Sequence, residues 1–161
     1  MRRFDTMTCV AYLRILVAIS VGVATATVGL AETCTVRIRT PNPNDKVGLE
    51  GTVMFEGELP ADAFPWVFVH REDLDNQWWP QGTSAARQRG KSWRKTVYYG
   101  GEQDRNREFE IVIIVVGKEA NAQLEAETER AAKEEKYTPR RLPNPIQGCA
   151  PEYVIVKKIS N

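Results

Sequence analysis

The sequence predicts a mainly β fold: an antiparallel, Ig-like β-sandwich of about six or seven strands, with one solvated helix inserted before the last strand. Three observations carry that expectation. Apolar stretches of strand length recur between Phe64 and Val116, separated by Gly, Pro and polar clusters. All four tryptophans, Trp66, Trp78, Trp79 and Trp93, lie in that stretch. Cys34 opens the first expected strand and Cys149 stands just before the last, where one disulfide would pin the chain ends together. A closed small barrel is the alternative arrangement of the same strands.

Residues 1–31 read as a signal peptide. Arg2 and Arg3 form a positive start, Ile15 to Leu30 is uncharged and mostly apolar, and Gly29-Leu30-Ala31 offers small residues for cleavage before Glu32. The uncharged run falls short of the about 20 residues of a membrane span. An uncleaved N-terminal anchor is the alternative, and a periplasmic or secreted location follows from cleavage. Cys9 leaves with the leader. So do three of the 22 basic residues and one of the 21 acidic ones, which leaves 32–161 as a single domain of near-neutral charge. That balance argues against a nucleic-acid binder, whose footprint is strongly basic.

The remaining chain supplies the elements in order. Thr33 to Thr40 alternates, with Cys34, Val36 and Ile38 on one face and Thr35, Arg37 and Arg39 on the other. Pro41 to Asp45 is a turn cluster, and Val47 to Leu59 resumes a strand pattern with Val47, Leu49, Val53 and Phe55 as inward candidates. In Phe64 to His70, Trp66, Phe68 and His70 share one face, and Val67 and Val69 the other. Arg71 to Gln77 reads as a charged loop, Trp78 to Gln81 as a turn, and Gly82 to Gly90 as a polar, mobile loop. Lys91 to Tyr99 is a strand with Trp93, Val97 and Tyr99 on one side. Phe109 to Val116 is apolar on both faces, so it belongs in the centre of a sheet with a cover on its outer side. The cover is a helix over about 118–136, rich in Ala, Glu, Gln and Lys, with a thin stripe of Ala120, Leu124, Thr128 and Ala131. A proline-rich connection, 139–151, leads to a final strand at 153–159.

Catalytic motifs are sparse, and the chain reads as non-enzymatic with no cofactor. The sequence has no G-x-S-x-G elbow, no phosphate-cradling glycine loop and no H-E-x-x-H helix. His70 is the single histidine, and its alternation with Trp66 and Phe68 places it half packed on aromatics at a strand end. An enzyme or metal site would have to combine it with Asp73 or Asp75. Glu72, Asp73, Asp75 and Asn76 supply oxygen donors, but without the glycine and later glutamate of a calcium loop they read as a solvated turn and not a metal site.

Aromatics give the stronger signal. Trp66 and Trp93 fall on apolar strand faces and belong to the core. Trp78 and Trp79 are neighbours, so an extended backbone points them to opposite sides. Trp78, Trp79, Arg94 and Tyr98 are therefore the candidate binding residues, suited to a partner protein or to sugar rings. Arg87, Arg89, Lys91, Arg94 and Lys95 cluster around Trp93 and otherwise read as a solvated face.

The run Trp66-x-Phe68-Val69, Trp78-Trp79-Pro80-Gln81-Gly82, Trp93, Tyr98-Tyr99-Gly100-Gly101 and Phe109-Glu110-Ile111, followed by a helix and a late strand, resembles an Ig-like β-sandwich accessory module of bacterial envelope and sensory proteins. The resemblance covers most of residues 47–159. It implies a domain that binds an envelope protein or glycan, and it assigns no catalytic residue. Unlike antibody-type domains, this chain carries its cysteines near its ends.

Overall fold

A computed structural model describes residues 33–159; the expected leader, its cleavage site and Cys9 lie outside them. The strands are β1 (Thr35–Thr40), β2 (Lys46–Val47), β3 (Glu50–Glu58), β4 (Phe64–Arg71), β5 (Trp78–Pro80), β6 (Arg87–Arg89), β7 (Ser92–Tyr98), β8 (Glu108–Val116) and β9 (Glu152–Lys158). A short 3₁₀ turn, Glu102–Asp104, precedes β8, and helix α1 (Lys118–Lys133) follows it. The strands form two sheets, β1-β3-β7-β6 and β2-β9-β8-β4-β5, antiparallel throughout except for the β2–β9 pair. The molecule is a β-sandwich and not a closed barrel.

Alternation along each strand builds the inner layer. Val53 and Phe55 of β3 and Trp93 and Val97 of β7 meet Val67 and Val69 of β4, Ile111 and Ile113 of β8, and Val154 and Val156 of β9. Phe55 and Trp93 stack with ring centres 5.7 Å apart and planes 8° from parallel. As its two apolar faces required, β8 is central in its sheet, paired with β4 from Phe64↔Val116 to Arg71↔Phe109 and with β9 on its other side. Its outer residues Val112, Ile114 and Val116 pack with Trp66, Phe68 and Trp78 under Leu124 of α1.

Helix α1 buries Asn121 as well as Leu124 and Thr128. Asn121 does not belong to the apolar stripe, but its Oδ1 accepts a 2.8 Å hydrogen bond from Trp66 Nε1, which satisfies an indole N–H that burial would otherwise orphan. The helix ends at Lys133, three residues before the expected position. Glu135 takes a left-handed conformation (φ 51°) and the Lys136 N–H returns to Ala131 O. This is a Schellman closure in which a glutamate occupies the place usually held by glycine.

Cys34 and Cys149 form the expected disulfide, with Cα atoms 5.0 Å apart across a sequence separation of 115. The bridge ties the start of β1, an edge of the four-stranded sheet, to the connection that enters β9 of the other sheet.

The segment 78–90 departs from expectation. The Trp78–Gln81 turn contains strand β5, paired with β4 through Val69↔Trp79 and His70↔Trp78. Pro80 is tolerated there because β5 is an edge strand, bridged on its outer side only at Trp78, to Arg140, among the described residues. The loop expected to be mobile is anchored by Ala86 N–H to Pro65 O at 2.7 Å and then forms β6 against β7. The segment therefore leaves one sheet, crosses the open side of the sandwich and joins the other.

Candidate functional site

The crossover builds a groove. Successive residues of an extended strand face opposite ways, so β5 sends Trp78 towards the helix-covered side and Trp79 towards the space between the sheets. Trp78 is buried, 7% exposed, with its ring 4.6 Å from that of His70 and 6.4 Å from that of Tyr153. Its backbone exchanges hydrogen bonds with Arg140, at 3.0 and 2.9 Å. Trp79 shares a face with its partner Val69, but it stands on the outermost strand and remains half-buried at the mouth.

Gln81 holds the two lips of this mouth together. Its N–H donates to Val67 O at 2.9 Å, its side-chain Nε2 donates to Trp79 O at 3.0 Å, and its Oε1 accepts from the Tyr98 N–H at 2.9 Å. One buried amide thus connects β5 of the five-stranded sheet to the edge of β7.

Behind the mouth, Gly100 turns the chain with φ +61°, and a Cβ there would come within 2.1 Å of Asp104 Oδ2, so any other residue would be strained and would displace the Asp104 carboxylate. Asp104 accepts from the Gly101 N–H at 2.7 Å and from Arg71 Nη1 at 2.5 Å. Arg71 also donates to Asp73 at 2.6 Å, and the buried Lys158 donates to Gly101 O. Burial pushes the Asp104 carboxyl up, but the Gly101 N–H, Arg71 and Lys158 outweigh it and hold the group below its usual value.

These walls enclose a groove of about 720 Å³, within the size range of ligand sites. Val69, Phe109 and Leu74 contribute apolar lining, Arg71 and Asp104 a polar wall, and Trp79, Tyr98 and Tyr137 aromatic rings. Tyr98 is 54% exposed and Tyr137 66%. A smaller depression of about 100 Å³ continues past Trp79 and Tyr137 to Arg140, whose Nε is buried and has no hydrogen-bond partner among the described residues. The exposed rings, side by side, can stack on a flat or apolar ligand.

Of the four candidate binding residues, Trp79 and Tyr98 line the groove. Arg94 is exposed on the outer face of β7, and Trp78 is buried against His70. Trp66 and Trp93 are core residues as expected. Tyr137 and the clamp by Gln81 were not read from the sequence. A lone tyrosine after a highly charged helix was the available signal for the first. The second depends on two sheets meeting, which has no local signature.

The remaining polar candidates are engaged elsewhere. His70 is buried, with Nδ1 3.3 Å from Gln77 O. Asp73 pairs with Arg71 and, at 3.5 Å, with Arg107. Glu72 lies against Glu108, whose hydrogen bond, aided by burial and by the charges of Glu108 and Glu110, raises its carboxyl. Among the described residues no group of three His, Cys, Asp or Glu is placed to hold a metal ion, and no helix is long and apolar enough to cross a membrane. No protein-family model matches the chain, and no curated protein matches it.

Proposed function

We propose that this domain is a non-enzymatic interaction module of the cell envelope or of the secreted fraction, and that it takes a segment of a partner protein into the groove between β5 and β7. One observation supports this above the others: Trp79, Tyr98 and Tyr137, from three separate elements, leave ring surface open around an apolar floor. Folding alone favours burying such rings, and aromatic anchors in pockets dominate the energetics of protein interfaces. The location rests on the reading of residues 1–31 as a signal peptide.

A carbohydrate ligand is the second reading. It is favoured by the planar polar groups of Arg71 and Gln103, which line the same groove and would serve sugar hydroxyls while a ring stacks on the sugar face. The test compares the wild type with Trp79→Ala and Tyr98→Ala in affinity capture from the envelope fraction, with thermal melts confirming that each variant is folded. The module reading expects a specific captured protein that both variants lose. Retention of every partner by both folded variants would sink it. Capture of glycan alone, with a tryptophan fluorescence shift on oligosaccharide titration, would replace it with the carbohydrate reading.

A further inference from the structure

The outer face of the four-stranded sheet raises a separate question. Alternation along β7 turns Arg94, Thr96 and Tyr98 outward, opposite to the core residues Trp93 and Val97. In the β6–β7 ladder Arg87 stands directly opposite Arg94, and Arg89 opposite Ser92. Lys91 sits in the turn between the strands. All four cations are exposed, and among the described residues none of them forms an ion pair. Glu56 of the same sheet is paired with Arg39, and Glu58 accepts a hydrogen bond from Thr33.

Like charges directly opposite each other weaken a strand pair. The Arg87–Arg94 juxtaposition is thus a cost to folding that no ion pair of either arginine offsets among the described residues. The positive field reaches the inner side as well. Burial, and then the Arg87 charge, lower the pKa of Lys95, whose Nζ donates to Ser84 O at 2.5 Å.

Charge is also distributed unevenly over the molecule. Helix α1, with the residues just beyond it, carries six glutamates against four basic side chains over 118–136, and it lies on the outer side of the other sheet. The domain therefore presents a cationic sheet face on one side and an acidic helix on the other. Such a molecule orients on an extended anionic plane, cations inward and helix away. Guanidinium forks match phosphate oxygens in pairs, and Tyr98, exposed on the same face about 13 Å along the strand from Arg94, suits a water–lipid boundary.

We propose that this face docks the domain peripherally on an anionic phospholipid surface through Arg87, Arg89, Lys91 and Arg94. The four cations lie outside the groove lining, and the face meets the groove only at Tyr98, which stands at the lip of its mouth.

Vesicle flotation tests it, with oxidised protein and vesicles of phosphatidylcholine alone or mixed with phosphatidylglycerol. The wild type binds the mixed vesicles at low salt, releases as salt rises, and ignores phosphatidylcholine. Arg87→Gln with Arg94→Gln lowers the partition coefficient roughly 30-fold, from about 1 kcal/mol per basic residue near the surface. Lys118→Gln with Lys133→Gln removes the same charge from the helix and leaves binding unchanged. Failure of the wild type to bind mixed vesicles, or equal binding by the arginine double variant, overturns the proposal. Binding to polyglutamate or heparin but not to vesicles also overturns it and makes an acidic polymer the partner.

Discussion

Asp104 shows how much of the groove rests on one side chain. Its two oxygens hold the Gly101 amide and Arg71, so it fixes both the turn behind Tyr99 and the end of β4. Its folded-state carboxyl lies below the value of an unfolded chain, about 3.9. The stability it contributes is therefore fully present above that pH and is lost as pH falls through the lower folded-state value. Asp104→Asn should destabilise the domain by about 1–3 kcal/mol at neutral pH, because it leaves Arg71 and the Gly101 amide poorly matched. In urea titrations across pH, the gap between variant and wild type should narrow on acidification below about pH 4. A gap of constant size down to the lowest pH would show that the carboxylate charge is not what matters. Gln81 acts by geometry instead: no charge is involved, and its three hydrogen bonds set the width of the mouth.

At the scale of elements, the short crossover strands determine which aromatic does what. Trp78 and Trp79 are one residue apart, yet pairing of β5 with β4 commits the first to the helix side and the second to the groove. Trp78→Ala should cost about 3–5 kcal/mol, the usual range for emptying a buried tryptophan site, and Trp79→Ala much less. Chemical denaturation of the two variants measures the difference, and equal costs would mean that the strand register is wrong. The six long strands were legible in sequence because each runs six to nine residues with period-two or continuous apolar patterning. Strands β5 and β6, three residues each, were not, since tertiary pairing and not local pattern makes them strands. The helix end was misplaced for a related reason. A glutamate in the left-handed position carries none of the stop signal that glycine would give.

For the molecule as a whole, near-neutral net charge conceals a divided surface, with arginines on one sheet and glutamates on the helix that covers the other. The cysteine count was enough to read the disulfide, because only one pairing is open to the two cysteines outside the expected leader. The groove as a composite of three elements was not readable, since Tyr98 and Tyr137 lie far apart in sequence. The bridge closes a loop of more than 100 residues, for which chain entropy predicts about 4–5 kcal/mol. Reduction should therefore lower the melting temperature by roughly 10 °C or more, read by calorimetry with and without reductant. An unchanged melt would mean that the bridge contributes nothing to stability.

Partner binding in the Trp79–Tyr98–Tyr137 groove is proposed from ring surface left open around an apolar floor. Its most direct test is site-specific photo-crosslinking in cells that make the protein, with benzoylphenylalanine replacing Tyr98, Tyr137 or, as control, Tyr153. Tyr153 is 47% exposed but lies on the far side of the five-stranded sheet, beside Trp78. An adduct with the same protein is expected from positions 98 and 137, and none from 153. Adducts from 153 alone, or no protein adduct from either groove position, would contradict it.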